Sequence, residues 1–243
     1  MTAFKGYQRK AQVILPKGYY DEKMKKTKEE ILATLLNQGL LPLFYLDSAA
    51  ESAEILKALY HAGVRVFEYT NRGSAALENF KQLVAQKNES MPDLQLGIGT
   101  IKTPQEAKDF IQAGADFLVS PIINPEVGQL ANEAGLLWIP GCMTPTEIDL
   151  AQKHGALLIK IFPANILGPE YIASIRELFP GQHFIPTGGV DLSAANIRAW
   201  FAAGVSAVGM GSKLISKKII QEKAYTELQQ HTETVLQTIK DNR

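Results

Sequence analysis

The sequence is poor in most of what ties a chain to a special compartment or partner. Among 243 residues there is one cysteine, Cys142, so neither an internal disulfide nor a cysteine framework for a metal is possible. A reducing, cytoplasmic setting is the expectation. Charge of one sign is missing too: 25 Lys and Arg balance 25 Asp and Glu. With no global positive field, neither nucleic acid nor an anionic membrane is an expected partner, and anion recognition has to be local. No apolar run approaches the length of a membrane span. The N-terminus mixes Lys5, Arg9 and Lys10 with apolar residues but has no h-region followed by a small-residue cleavage site, so neither signal peptide nor anchor is expected. The four histidines (His61, His154, His183, His231) lack metal-ligand spacing, and no metal or organic cofactor is expected.

What is present is an ordinary globular balance, 46% hydrophobic and 21% charged, enough to bury a full core. From about residue 40 a pattern repeats: a short apolar run, a turn, then an amphipathic stretch. The runs are Leu41–Leu46, Val64–Thr70, Leu94–Thr100, Phe117–Pro121, Leu136–Gly141, Leu157–Pro163, His183–Gly189 and Ala207–Ser212. They begin between 19 and 30 residues apart, which is the length of a strand plus a crossover helix. Ser48 and Thr103 read as helix N-caps, with Pro104 at a first helical position. Ala-Gly recurs just before a strand at Gly63, Gly114, Gly135 and Gly204, where glycine accepts the left-handed conformation that ends a helix.

Eight such units predict an α/β fold, a (β/α)8 TIM barrel, with an open doubly wound sheet as the alternative. The barrel is favoured because polar residues gather at the C-terminal ends of the strands and not in one glycine-rich loop after the first strand. Lys25–Gln38 is expected as an extra N-terminal helix closing the barrel's bottom through Ile31, Leu32, Leu35 and Leu36. Ser216–Asn242 is expected as a long C-terminal helix. Residues 1–24 show no clear period and stay an unassigned extension; residues 25–243 form one barrel domain in this reading.

Lys160 lies in the apolar run Leu157–Pro163 and shares a strand face with Leu158 and Phe162. An unpaired charge there is costly, and one resolution is a neutral amine, a nucleophile toward ketones. The other is a lysine that snorkels to the rim or pairs with a carboxylate. Position alone leaves both open. Glu68 alternates with Val66 and Thr70, and Arg72 follows. The pair suits a general acid/base and a bidentate clamp for a substrate carboxylate, or equally a structural ion pair. Gly97-Ile98-Gly99-Thr100 ends the third run, where glycines let a ligand approach and Thr100 offers a hydroxyl to ligand or to a turn. Pro186-Thr187-Gly188-Gly189 and Gly209-Met210-Gly211-Ser212 end the last two runs, where barrels often bind phosphate through exposed N–H groups and a following helix dipole. Lys213 adds charge there or faces solvent. Cys142 reads as a small buried residue, Arg65 as a structural residue of the bottom face, and Trp138 and Trp200 as packing residues.

Together these stretches resemble 2-keto-3-deoxy-6-phosphogluconate (KDPG) aldolases, a family that includes enzymes also cleaving 4-hydroxy-2-oxoglutarate (KHG). Val64 to Arg72, Gly97–Thr100, Ser120-Pro121, Ile139–Gly141, Lys160–Pro163, Pro186–Gly189 and Gly209–Ser212 occur in that family's order. The resemblance covers roughly residues 30 to 215. It implies a class I aldolase that cleaves KDPG to pyruvate and glyceraldehyde 3-phosphate through a lysine Schiff base. In that frame Lys160 is the nucleophile and Glu68 the acid/base. Arg72 and Thr100 hold the carboxylate end, and Pro121 and Phe162 line the pocket. Thr187, Gly188 and Gly189 continue the pocket, and Gly211 and Ser212 form the phosphate turn. A homotrimer and a place in the Entner–Doudoroff pathway are implied likewise. The alternatives are a KHG or dual-specificity aldolase, a galactonate-type stereoisomer as substrate, a non-catalytic sugar-phosphate-binding barrel, and an isomerase or synthase using Lys160 as a charged electrophile. The chain departs from the family at Asn165, where Glu is common after Phe-Pro-Ala, and at Asn71, where an apolar residue is common. Its first 24 residues are also longer than usual.

Overall fold

The computed structural model describes residues 26–243. The 1–24 extension lies outside those residues. Helix α1 (Lys28–Gln38) starts three residues later than its periodicity predicts. Thr27 takes an extended conformation and accepts from the Glu30 N–H, while Glu30 reaches back to the Thr27 N–H. This reciprocal capping box sets the first turn.

Nine short strand segments follow: β1 (Leu40–Phe44), β2 (Val66–Thr70), β3 (Gln95–Gly99), β4 (Phe117–Val119), β5 (Leu137–Ile139), β6 (Gly141–Cys142), β7 (Leu158–Ile161), β8 (His183–Pro186) and β9 (Val208–Met210). All pairings are parallel. β5 and β6 are one strand interrupted at Pro140, which has no N–H to give the ladder; its carbonyl still accepts from Lys160 N–H. The order β5-β4-β3-β2-β1-β9 joins β6-β7-β8 at that proline on one side and at a Thr187–Gly209 bridge on the other. The parallel sheet therefore curls until its edges meet, in the manner of a TIM barrel.

Between the strands run α2 (Ala49–His61), α3 (Ala76–Ser90), α4 (Pro104–Gln112), α5 (Pro125–Glu133), α6 (Pro145–Lys153), α7 (Ala164–Ile175) and α8 (Ala194–Ala202). Ser48 and Thr103 cap α2 and α4. Each of the four Ala-Gly pairs ends a helix, the glycine holding a positive φ. The expected long C-terminal helix is instead two, α9 (Lys217–Glu222) and α10 (Tyr225–Asp241). Lys223 breaks them by adopting φ +52. No glycine or proline marks that break, so helical composition alone reads straight through it. α10 buries Leu228, Thr232, Val235 and Ile239.

Strand alternation divides the apolar residues into two layers. Phe67, Tyr69, Leu96, Ile98, Leu118, Ile159 and Ile161 face outward under the helices. Leu41, Val66, Phe117, Val119, Leu137, Ile139, Leu158 and Ile185 fill the barrel's interior, with Ile31 and Leu35 of α1 closing one end. Each fully buried side chain of that size contributes about 1.5–3 kcal/mol of transfer free energy. Leu32 packs against the same cluster from the side, and Leu36 is half-buried.

Candidate active site

Along each strand the interior face changes character. Val66, at the start of β2, belongs to the apolar plug; Glu68 and Thr70 follow it on the same face. On β7 Leu158 belongs to the plug and Lys160 follows. Since Ile159 and Ile161 pack outward, the register sends Lys160 inward. The strands' C-terminal ends thus gather an amine, a carboxylate and hydroxyls above an apolar floor.

Lys160 is 6% exposed, and its Nζ lies 5.1 Å from the centre of the Phe162 ring. Among the described residues it forms no ion pair, and neither does Glu68. Both Glu68 oxygens are buried without a hydrogen-bond partner among the described residues. Burial pushes the Glu68 carboxyl above the ordinary carboxylate range; the charges of Lys160 and Arg72 oppose that push without cancelling it. The structure thus favours neither the snorkelling of Lys160 to solvent nor a direct Glu68–Arg72 salt bridge. Arg72 itself is exposed, just past β2, and reaches Glu68 only through its field.

The glycines of Gly97–Thr100 have a different use from the one expected. A methyl on Gly97 would overlap the Phe117 ring, and one on Gly99 would overlap Glu68 Oε1. They make room for interior side chains, not for a ligand approaching the backbone. Thr100 adopts φ +65, uncommon for a β-branched residue and characteristic of functional sites. It does not cap α4; Thr103 does.

Thr187 directly follows β8 and bridges to Gly209, where an added methyl would come within 2.5 Å of Thr187 Oγ1. Gly188 and Gly189 both hold positive φ, +89 and +76. They pack against Asn165, whose Oδ1 lies 3.0 Å from where a Gly188 methyl would sit. After β9, Gly211 to Ile215 form a single turn closed by Gly211 O accepting from Leu214 and Ile215. Among the described residues nothing accepts from the N–H groups of Gly188, Gly189, Ser212 or Lys213. Those donors are available to an anion, as expected. The expected helix dipole behind them is not: α8 begins only at Ala194 and is capped by Ser193, and α9 only at Lys217.

Pro121 and Phe162 are half-buried beside Lys160's end of the barrel. Pro121 lies against Gly141, the register partner of Lys160. Two groups to which sequence reasoning gave no role belong here. Thr70 stands one inward position beyond Glu68, a placement legible from the period of two. Asn165 backs the Gly188–Gly189 turn, which only the fold reveals. Outside the site, in the layer under the helices, Trp138 packs as expected and also donates from its indole N–H to Ser120 Oγ at 3.1 Å.

The weaker candidates stay apart. Burial pushes the Cys142 thiol up to about 12, so it is no thiolate near neutrality. His154 is the C-cap of α6. Arg65 binds Asp93 at 2.7 Å and stacks on Tyr60, at the other end of the barrel. Two open grooves of about 580 and 400 Å³ also lie away from the site; His154 lines the first and Arg65 the second, and neither is lined by Lys160, Glu68 or the residues gathered around them. Among the described residues no three His, Cys, Asp or Glu side chains gather as metal ligands, and no helix is long and apolar enough to cross a membrane.

Comparison with known proteins gives a consistent picture. The family model for KDPG and KHG aldolases matches residues 31–231. A 2-dehydro-3-deoxy-phosphogluconate aldolase from Haemophilus influenzae is 29% identical over 218 residues, 89% of this chain and 100% of that protein. The KHG/KDPG aldolase of Escherichia coli is 29% identical over 207 residues, 84% of this chain and 94% of its own. Among solved structures, a KDPG aldolase from Legionella pneumophila holds pyruvate captured at low pH as a covalent carbinolamine intermediate. It superposes with a TM-score of 0.77 at 25% identity, covering 84% of this chain and 97% of that one.

Proposed function

The chain belongs to the KDPG and KHG aldolase family, and on that premise we propose that it cleaves KDPG to pyruvate and glyceraldehyde 3-phosphate through an imine on Lys160. The observation that carries this reading is the pairing of a buried amine, free of any ion pair, with a buried carboxylate lacking any hydrogen-bond partner, both among the described residues.

The Lys160 amine adds to the substrate ketone, and loss of water forms an iminium that accepts the electrons of the breaking carbon–carbon bond. Glu68, through a water, takes the proton of the hydroxyl beside that bond. Glyceraldehyde 3-phosphate leaves, Glu68 returns the proton to the enamine, and hydrolysis frees pyruvate. A carboxyl that serves as base and then as acid works best with a pKa nearer neutrality, the direction in which burial moves Glu68. Arg72 and Thr100 hold the substrate carboxylate. Pro121 and Phe162 line the pocket, Thr187, Gly188 and Gly189 continue it, and Gly211 and Ser212 take the phosphate. No metal or organic cofactor enters any step. We further propose one barrel domain over residues 25–243, working in the cytoplasm as a homotrimer.

A second reading keeps the chemistry and widens the substrate to KHG, which carries no phosphate; the name of the Escherichia coli relative favours it. Cleavage rates on KDPG, its galactonate isomer and KHG separate these.

The test is intact-mass spectrometry after incubation with pyruvate and sodium borohydride. A pyruvate-sized adduct on the wild type, mapped to Lys160 and missing from Lys160→Ala, is the expected result. An unmodified wild type that still cleaves substrate would overturn the imine mechanism.

A further inference from the structure

β2 presents Val66, Glu68 and Thr70 on one interior face, in order from the apolar plug toward the mouth. Thr70 is 1% exposed, and its Oγ1 has no hydrogen-bond partner among the described residues. A buried hydroxyl left unpaired is unfavourable, and strands do not need one: valine has the same shape and at least equal strand preference. The inward atoms near it are the Glu68 carboxylate, also unpartnered, and the space left by Gly99, its register partner on β3. That space is filled by Glu68 Oε1 itself. The carboxylate is thus held against β3, and Thr70 is the next polar group between it and the mouth.

We propose that Thr70 is a positioning residue for proton transfer: its hydroxyl holds the water through which Glu68 exchanges a proton with bound substrate. The water gives a proton to the Glu68 carboxylate as it takes the one on the substrate hydroxyl. The two transfers reverse when the enamine carbon is protonated, so no other reactant is consumed. A hydroxyl suits this task because it donates one hydrogen bond and accepts another, fixing a water's orientation without competing for the transferred proton. The proposal rests on the aldolase reading above.

The experiment compares full-length wild type, Thr70→Val and Thr70→Ser. Four quantities are measured: kcat and KM for KDPG cleavage, exchange of pyruvate methyl hydrogens in D2O, the borohydride adduct, and the thermal midpoint. Thr70→Val is expected to lose kcat and exchange together by about ten- to hundred-fold, part of what acid–base catalysis contributes. Its KM should stay within roughly three-fold, its adduct should still map to Lys160, and its midpoint should match or exceed the wild type. Thr70→Ser, which keeps the hydroxyl, should recover most of the exchange rate. Wild-type exchange and kcat in Thr70→Val would overturn the proposal, as would equal impairment of both variants. A Thr70→Val protein that melts lower or fails to fold would assign the hydroxyl a structural role instead. If the wild type itself gives no adduct, the aldolase reading fails first, and the two failures are told apart.

Discussion

Two lysines are buried at opposite ends of this barrel, and their surroundings differ completely. Lys87, on the last turn of α3, is 7% exposed, and its Nζ lies 2.5 Å from Asp116 Oδ2. Asp116 stands just before β4 and also accepts from the Leu96 N–H, so every charge there has a fixed partner. Lys160 is 6% exposed and pairs with no carboxylate among the described residues. Equal burial with unequal pairing separates a group that holds the fold from one kept available for reaction. Removing one partner of a buried pair leaves an uncompensated charge. Removing a group that has no partner leaves none, and costs only what the group does.

The largest effect expected from this contrast is on turnover. Lys160→Ala should lower kcat on the order of 10⁴-fold or more, as loss of a covalent nucleophile does, with a thermal midpoint near the wild type's. A midpoint that collapsed would make Lys160 structural and erase the distinction. Lys87→Ala should do the reverse. It strands Asp116 in the core, at a cost of about 3–5 kcal/mol, or roughly 10 °C in a chain of this size. Turnover per folded molecule should hardly change, as thermal melts alongside active-site titration would show.

Next in size is the behaviour of Glu68. Its folded pKa is raised above the unfolded one, so the folded state binds more protons, and stability falls as pH rises from about 4.3 through the folded value. Glu68→Gln should remove that loss, melting no lower than the wild type at pH 8 while cleaving substrate about 10²–10⁴-fold more slowly. Melts that track the wild type's pH dependence would show that Glu68 is not the group concerned. Arg72→Ala should raise KM for pyruvate-containing substrates. It should also move the acid limb of kcat/KM upward, because the Arg72 charge favours ionised Glu68. An unmoved limb and an unmoved KM would take Arg72 out of the site. The smallest effect is reserved for Ser212→Ala, which should weaken cleavage of KDPG by a few-fold and leave KHG alone.

Much of the frame was legible because the forces that set it are local. The eight apolar runs, the caps at Ser48 and Thr103 and the Ala-Gly helix ends depend on residues within a turn of one another. The break at Lys223 was not legible, since that lysine adopts φ +52 where nothing in its composition asks for it. Gly97 and Gly99 were misread for a related reason. The side chains that need their space, Phe117 and Glu68, come from neighbouring strands. The available N–H groups after β8 and β9 were foreseen, whereas the helix starts behind them are displaced along the chain.

The sequence by itself determined that a lysine and a glutamate would each sit in an apolar strand run, and that the strands would be parallel and eight in number. Alternation says which residues share a face, but it is the same from either side of a strand. Only closure of the sheet decided that Lys160, Glu68 and Thr70 point inward, above a floor of Leu158, Val66 and Phe117. Inside that closed space, whether a buried charge has a partner is settled by strands distant in sequence.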